Sequence, residues 1–301
     1  MTRTVLLSVC LSLTSCGGDP FEPDRVAGDA GSSCKANLQT DPQHCGACGH
    51  ACIEASCEGG HCRPRELVGS VSPVGVAVQG ANLYFVDEGA GTINIMPKDG
   101  ALSPEVFADG QSGAAYVAID QTHVYWTRRD DGAVVQLALS GGTPTAIATG
   151  YQTPLGIGLA GGAAYVAEPT SGKVWKLGLD GTPISAVGEV GASLLVEGVA
   201  TDGASLWITL NGSDAVQRMA LSGGPFTQFE NGQDHPAGIA VDEQWVYWVN
   251  QNSGELRKAP KAAGAVITLA LELQWPTGVA VDDRYVYVAE AHAGRIVRIA
   301  K

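Results

Sequence analysis

Nowhere does this chain carry an apolar run long enough to cross a membrane as a helix, which excludes a helical span. Cations are scarce: 18 Lys and Arg against 31 Asp and Glu leave a formal charge of −13. That balance excludes a basic stripe for nucleic acid. No cysteine occurs after Cys62, so any disulfide or thiolate chemistry belongs to the N-terminal fifth. Missing too are a G-x-S-x-G nucleophile elbow, a dinucleotide fingerprint and a zinc-protease helix motif. The glycine pairs Gly141-Gly142 and Gly223-Gly224 have no helix after them to present an N-terminus, so they read as hairpin connectors and not phosphate cradles.

What is present is a repeat. The stretches PVGVAV, AAYVAI, PLGIGL, VEGVAT, PAGIAV and PTGVAV align, and an aromatic follows each at a fixed distance: Tyr84, Tyr125, Tyr165, Trp207, Tyr247 and Tyr287. The steps between them are 41, 40, 42, 40 and 40 residues. A period of 40–45 residues built from short strands is the signature of propeller blades, each a four-stranded sheet that cannot bury its faces alone. Strand A is the small, β-branched run, suited to the crowded centre. Strand B follows a turn opened by Asp120, Asp202, Asp242 or Asp282, whose side chains cap turn amides. Strand C starts at a glycine, as at Gly132, Gly172, Gly254 and Gly294, and strand D is short, as at Val106-Phe107. The expected fold is all-β: a six-bladed β-propeller over residues 64–301. These phrases resemble the NHL and YWTD repeat families, and the likeness runs over some 230 residues. The sixth repeat reaches only its strand C, Ile296–Ile299, whereas Glu66-Leu67-Val68-Gly69 resembles a strand D lying ahead of the first repeat. The N-terminal segment is therefore expected to complete blade six and close the ring, leaving no free seam.

Residues 1–15 read as an export signal: a basic start, then the apolar Val5–Leu13. Leu13-Thr14-Ser15-Cys16 resembles the lipobox of bacterial lipoproteins, which implies cleavage before Cys16, acylation of that cysteine and attachment of the chain to the membrane. Gly17 after the cysteine resembles lipoproteins sent on to the outer membrane. Residues 16–33, rich in Gly, Pro and Asp, have little to bury and are expected to form a disordered tether whose ends lie about 20–25 Å apart. Six cysteines follow over residues 34–62: Cys34, Cys45, Cys48, Cys52, Cys57 and Cys62. In an exported chain they read as three disulfides stapling a module without a core of its own, with fifteen pairings open. The competing arrangement is a zinc site of Cys45, Cys48 and Cys52 with His44, His50 and His61, which an oxidising compartment disfavours. The run from Asp41 to Cys62 also resembles the cysteine-rich repeat of stigma-specific secreted proteins, which implies a secreted disulfide module and no particular chemistry.

Chemistry on a propeller sits on loops at a channel mouth. The residues ending strand B are Asp87, Arg128, Glu168, Leu210, Asn250 and Glu290. Asp87, Glu168, Asn250 and Glu290 offer oxygen, and together they could hold a divalent ion such as calcium. Gluconolactonase-like propellers hold a catalytic ion with such ligands, so this set carries the alternative of a metal-dependent hydrolase or lactonase. Arg128 and Leu210 interrupt the ring, and the expectation is that each oxygen ligand caps its own blade, with no resident cofactor. Of the histidines beyond the cysteine module, His123, His235 and His292, the last lies in a Glu290-Ala-His-Ala-Gly phrase that resembles streptogramin lyases, which are seven-bladed. Strand C carries a basic column, Lys176, Arg218, Lys258 and Arg298, expected to pair with Asp202, Asp242 and Asp282. Trp126 and Trp248 are expected to be interblade core; exposed, they would favour binding. The sequence as a whole reads as an envelope-anchored lipoprotein whose propeller binds a protein or glycan without catalysis.

Overall fold

A computed structural model describes residues 36–47, 49–180, 185–262 and 264–301. The signal segment, the tether, Cys16, Cys34 and Cys48 lie outside the described residues. The six repeats form six four-stranded antiparallel sheets. Blade 1 runs through Pro73–Gln79, Asn82–Asp87, Thr92–Pro97 and Glu105–Ala108 as strands A to D. Blade 6 consists of Pro276–Val281, Tyr285–Glu290 and Arg295–Ala300, and its outer strand is Arg65–Gly69 from the other end of the domain. The ring therefore closes as the sequence implied, with Val68 opposite Ile296 and Arg65 opposite Arg298.

Convergence at the centre depends on one position in strand A. A Cβ on Gly75, Gly156, Gly198, Gly238 or Gly278 would come under 3.0 Å from strand A backbone of the next blade. Glycine lets adjacent backbones approach there. In blade 2 the same position is Tyr116. Strand A also slips register in five blades, for example between Pro236 and Ile239, which frees backbone groups from the ladder. Buried threonines satisfy them in two blades. Thr127 Oγ1 accepts from Tyr116 N–H (3.2 Å) and donates to Leu155 O in blade 3 (2.7 Å). Thr209 accepts from Gly198 N–H (2.8 Å) and donates to Ala237 O in blade 5. Each such hydroxyl joins two blades and removes an unsatisfied buried amide.

The cysteine module lies against the outer side of the ring. Disulfides join Cys45 to Cys57 and Cys52 to Cys62, and these four half-cystines pack around Ala300. Zinc coordination by Cys45 and Cys52 is thereby excluded, since their sulfurs are already bonded to sulfur. Ile53 joins the apolar cluster of blades 1 and 6. Glu54 accepts from Arg65 (2.5 Å) and pairs with the buried Arg298.

Candidate functional site

Strand A begins and strand B ends on the same face of the ring, and the four predicted oxygen ligands lie there. The three carboxylates are occupied by their own blades, whereas Asn250 Oδ1 is buried without a hydrogen-bond partner. Asp87 Oδ1 accepts from Ser72 N–H (3.2 Å) and Ala90 N–H (3.1 Å). Glu168, buried, accepts from Gln152 N–H (2.5 Å), Trp175 Nε1 (3.0 Å) and the Ser171 hydroxyl. Asn250 donates to Gln233 Oε1 (3.3 Å) and Glu255 Oε2 (3.4 Å). Glu290, fully buried, accepts from Gln274 N–H (2.7 Å) and Arg295 Nε (3.0 Å). Among the described residues Asp87, Glu168 and Glu290 do not gather into a group that could share an ion. Their oxygens fix the loop that leads into strand A.

Two tryptophans that could have been exposed are core: Trp126 and Trp248 are both 0% exposed, donating to Gln111 (3.0 Å) and Gln233 (2.7 Å). The turn acids behave as the sequence implied. Asp242 Oδ1 accepts from Gln244 N–H (2.9 Å) and Trp245 N–H (2.8 Å), while its Oδ2 accepts from Tyr247 OH (2.9 Å). Asp120 and Asp282 repeat this with Tyr125 and Tyr287. The basic column, however, does not pair with these acids. Asp202, Asp242 and Asp282 instead take Lys261 (2.8 Å), Lys301 (2.6 Å) and Lys98 (2.6 Å), each from the end of strand C in the next blade. The column stands opposite Trp207, Tyr247 and Tyr287 in the ladder, and two of its cations lean over the aromatic two residues earlier on strand B: Lys258 at 4.5 Å from Trp245 and Arg298 at 4.5 Å from Tyr285. Burial works to raise the Asp202 carboxyl, but Lys261 and the turn amides outweigh it and hold the group at about 2.

The group that sequence reasoning missed lies in the channel. Tyr116, standing where other blades have glycine, donates to Glu197 Oε1 (3.1 Å) in blade 4 and lies 3.5 Å from Thr277 O in blade 6. One phenol thus ties three alternate blades across the axis. Burial drives the Glu197 carboxyl up to about 7, although Tyr116, Asn211 and His235 all act to lower it. Its only sequence signal was Tyr and Glu replacing apolar or glycine residues in two otherwise uniform strands.

Around the same mouth, the residue preceding strand A adopts left-handed backbone in blades 2 to 6: Gly113, Thr153, Leu195, His235 and Trp275. Its partner is the second residue after strand B. Thr153 and Thr170 share a hydrogen bond (2.5 Å), Asn252 Nδ2 and His235 Nδ1 are 2.8 Å apart, and the Trp275 and His292 rings stack at 4.8 Å and 19°. His292 is thus held by Trp275, while Glu290 of the same phrase is buried beneath Arg295. The opposite mouth is lined by apolar strand A residues such as Val78, Ile119 and Val241.

No family model matches the sequence, nor does any curated protein. Solved structures do resemble the fold. A chain of a nidogen/laminin complex is 20% identical with a TM-score of 0.65, over 70% of this chain and 86% of that one. A gluconolactonase from Xanthomonas campestris is 14% identical with a TM-score of 0.67, over 78% and 88%. A virginiamycin B lyase from Staphylococcus aureus is 14% identical with a TM-score of 0.58, over 79% and 97%. At these identities the likeness is one of fold, and propellers of this kind include both binding proteins and enzymes. The chain is a six-bladed β-propeller closed by its own N-terminal strand and preceded by a disulfide-bonded, cysteine-rich segment.

Proposed function

We propose that this protein is a lipid-anchored envelope protein, attached through Cys16 and directed to the outer membrane, whose propeller binds a protein or glycan partner on the face where strand A begins and strand B ends and does not act as a hydrolase. One observation carries the choice: the three carboxylates a lactonase-like site would need, Asp87, Glu168 and Glu290, are each bonded within their own blade and do not gather around a shared point, while the same face displays exposed side chains. The alternative would require Glu168 to abandon its bonds to Gln152, Ser171 and Trp175 and join Asn250 Oδ1 on an ion. Metal analysis and thermal unfolding of the purified full chain, with Glu168→Ala and Asn250→Ala beside it, test this reading. The expected result is no bound divalent ion and no stabilisation by added calcium or zinc. One tightly bound ion, lost in either variant, would establish the hydrolase reading instead. For the anchor, Cys16→Ala is expected to move the protein from the membrane to the soluble envelope fraction, and unchanged membrane association would refute lipidation there.

A further inference from the structure

Four side chains on the mouth are placed where glycine would cost less. Thr153, Leu195, His235 and Trp275 have φ of 56°, 49°, 54° and 52°, a conformation that opposes any Cβ and most strongly a bulky or branched one. Blade 2 shows what the backbone prefers there, because Gly113 fills the equivalent position at φ 73°. All four side chains are exposed, Leu195 at 43% and Trp275 at 38%, so burial does not offset the strain. Strained backbone that supports displayed side chains points to function.

The chemistry of the display is uneven around the ring. In blade 6 the Trp275 ring rests on His292, which fixes one face and leaves much of the indole open to solvent. In blade 5 the equivalent pair is polar: Asn252 Nδ2 bonds Asp234 Oδ1 (3.1 Å) and meets His235 Nδ1. A fixed aromatic face in one blade, with short, mutually oriented amide, carboxylate and imidazole groups at the equivalent position of the adjacent blade, suits a molecule that is apolar on one side and rich in hydroxyls at its edge. A pyranose ring is such a molecule. Its axial C–H bonds lie on an indole face, and its hydroxyls both donate and accept. An anionic ligand would meet Asp214 and Asp234 beside His235. A protein interface of ordinary size needs about 800 Å² from each partner around an apolar centre, whereas Leu195 and Trp275 are the large exposed apolar residues of this display.

We propose that the Trp275–His292 stack, with His235, Asn252 and Asp234 of the adjacent blade, forms a subsite for the sugar rings of an uncharged glycan. This rests on the binding-propeller reading and narrows its partner to one class. The test is affinity electrophoresis and titration calorimetry of the purified full chain against soluble neutral glucans, mannans, xylans, galactans and chito-oligosaccharides. At least one is expected to bind. Trp275→Ala should weaken that binding at least tenfold, Trp275→Phe should retain part of it, and His292→Ala should weaken it several-fold. Trp275→Gly should abolish binding without lowering the melting temperature, since it removes the strained side chain; this separates loss of a subsite from loss of the fold. Failure of every glycan to bind, or binding untouched by Trp275→Ala, would overturn the inference. In that event a purified protein partner cross-linked to this face would leave the wider binding reading standing, and finding neither ligand class would remove both.

Discussion

Glu197 shows how one side chain can set a pH response. Its carboxyl titrates at about 7 because burial in the channel opposes the charge, with Tyr116, Asn211 and His235 facing it. The folded protein holds this proton more tightly than the unfolded chain does. Its contribution to stability is therefore complete below the ordinary carboxylate range and is lost as pH rises through about 7. The difference amounts to on the order of 2–3 kcal/mol, discounted for partial exposure. Glu197→Gln keeps an acceptor for the Tyr116 phenol and removes the charge. Thermal unfolding of the wild type should fall by roughly 4–10 °C between pH 5 and pH 8.5 through this group, and the Gln variant should lose most of that slope. Equal slopes would show that the carboxylate is accommodated in the channel without cost. At Trp275, where φ is positive, the companion expectation is a gain of about 0.5–1 kcal/mol in Trp275→Gly, read from denaturant unfolding; a loss of stability would mean the indole packs more than its exposure implies.

Within the blades, much was legible because each strand repeats its own rules. The Asp that opens the A–B turn, followed five residues later by Tyr or Trp, predicted caps that exist in Asp120, Asp202, Asp242 and Asp282. Glycine in strand A marked a close approach that is real. The partners of the turn acids were not legible, since Lys261 and Lys301 reach them from a neighbouring blade 59 residues away and Lys98 from around the closure. Left-handed backbone at Thr153, Leu195, His235 and Trp275 was not legible either, because none of these is a residue that ordinarily signals it. Tyr116 and Glu197 meet across the axis, a contact that a linear repeat does not encode. The strand A rule makes a strong prediction. Gly238→Ala would place a methyl under 3.0 Å from Thr277 and Val279 backbone, forcing two blades apart. A cost of about 2–3 kcal/mol is expected, seen as a lower urea midpoint, whereas Gly161→Ala, with open space around it, should cost about 1 kcal/mol through its positive φ alone.

At the scale of the molecule, the cysteine segment and the propeller share one seam. The outer strand of blade 6 begins three residues after Cys62, and Ala300 at the far end of the domain packs among the half-cystines. Arg298, only 6% exposed in its side chain, has Glu54 of the cysteine segment as its carboxylate and Lys98 O of blade 1 at 3.4 Å. Blades 6 and 1 and the stapled segment thus meet at one guanidinium. Each disulfide closes a short loop, with separations of 12 and 10 residues, and contributes about 2–3 kcal/mol by restricting the unfolded chain. If the segment were an independent bead on a string, reduction would unfold it and leave the propeller transition where it was. Because Glu54 and Ile53 complete the blade 6 interface, reduction should instead lower the melting temperature of the whole domain in a single transition. Glu54→Gln, which leaves a buried guanidinium short of its charge partner, should reproduce part of that shift by about 1–2 kcal/mol, less than for a fully buried pair because Glu54 is half exposed. A double mutant with Arg298→Met should recover some of the loss, since both charges are then gone; additive losses in the two single variants would show that the seam is held by packing and not by this ion pair.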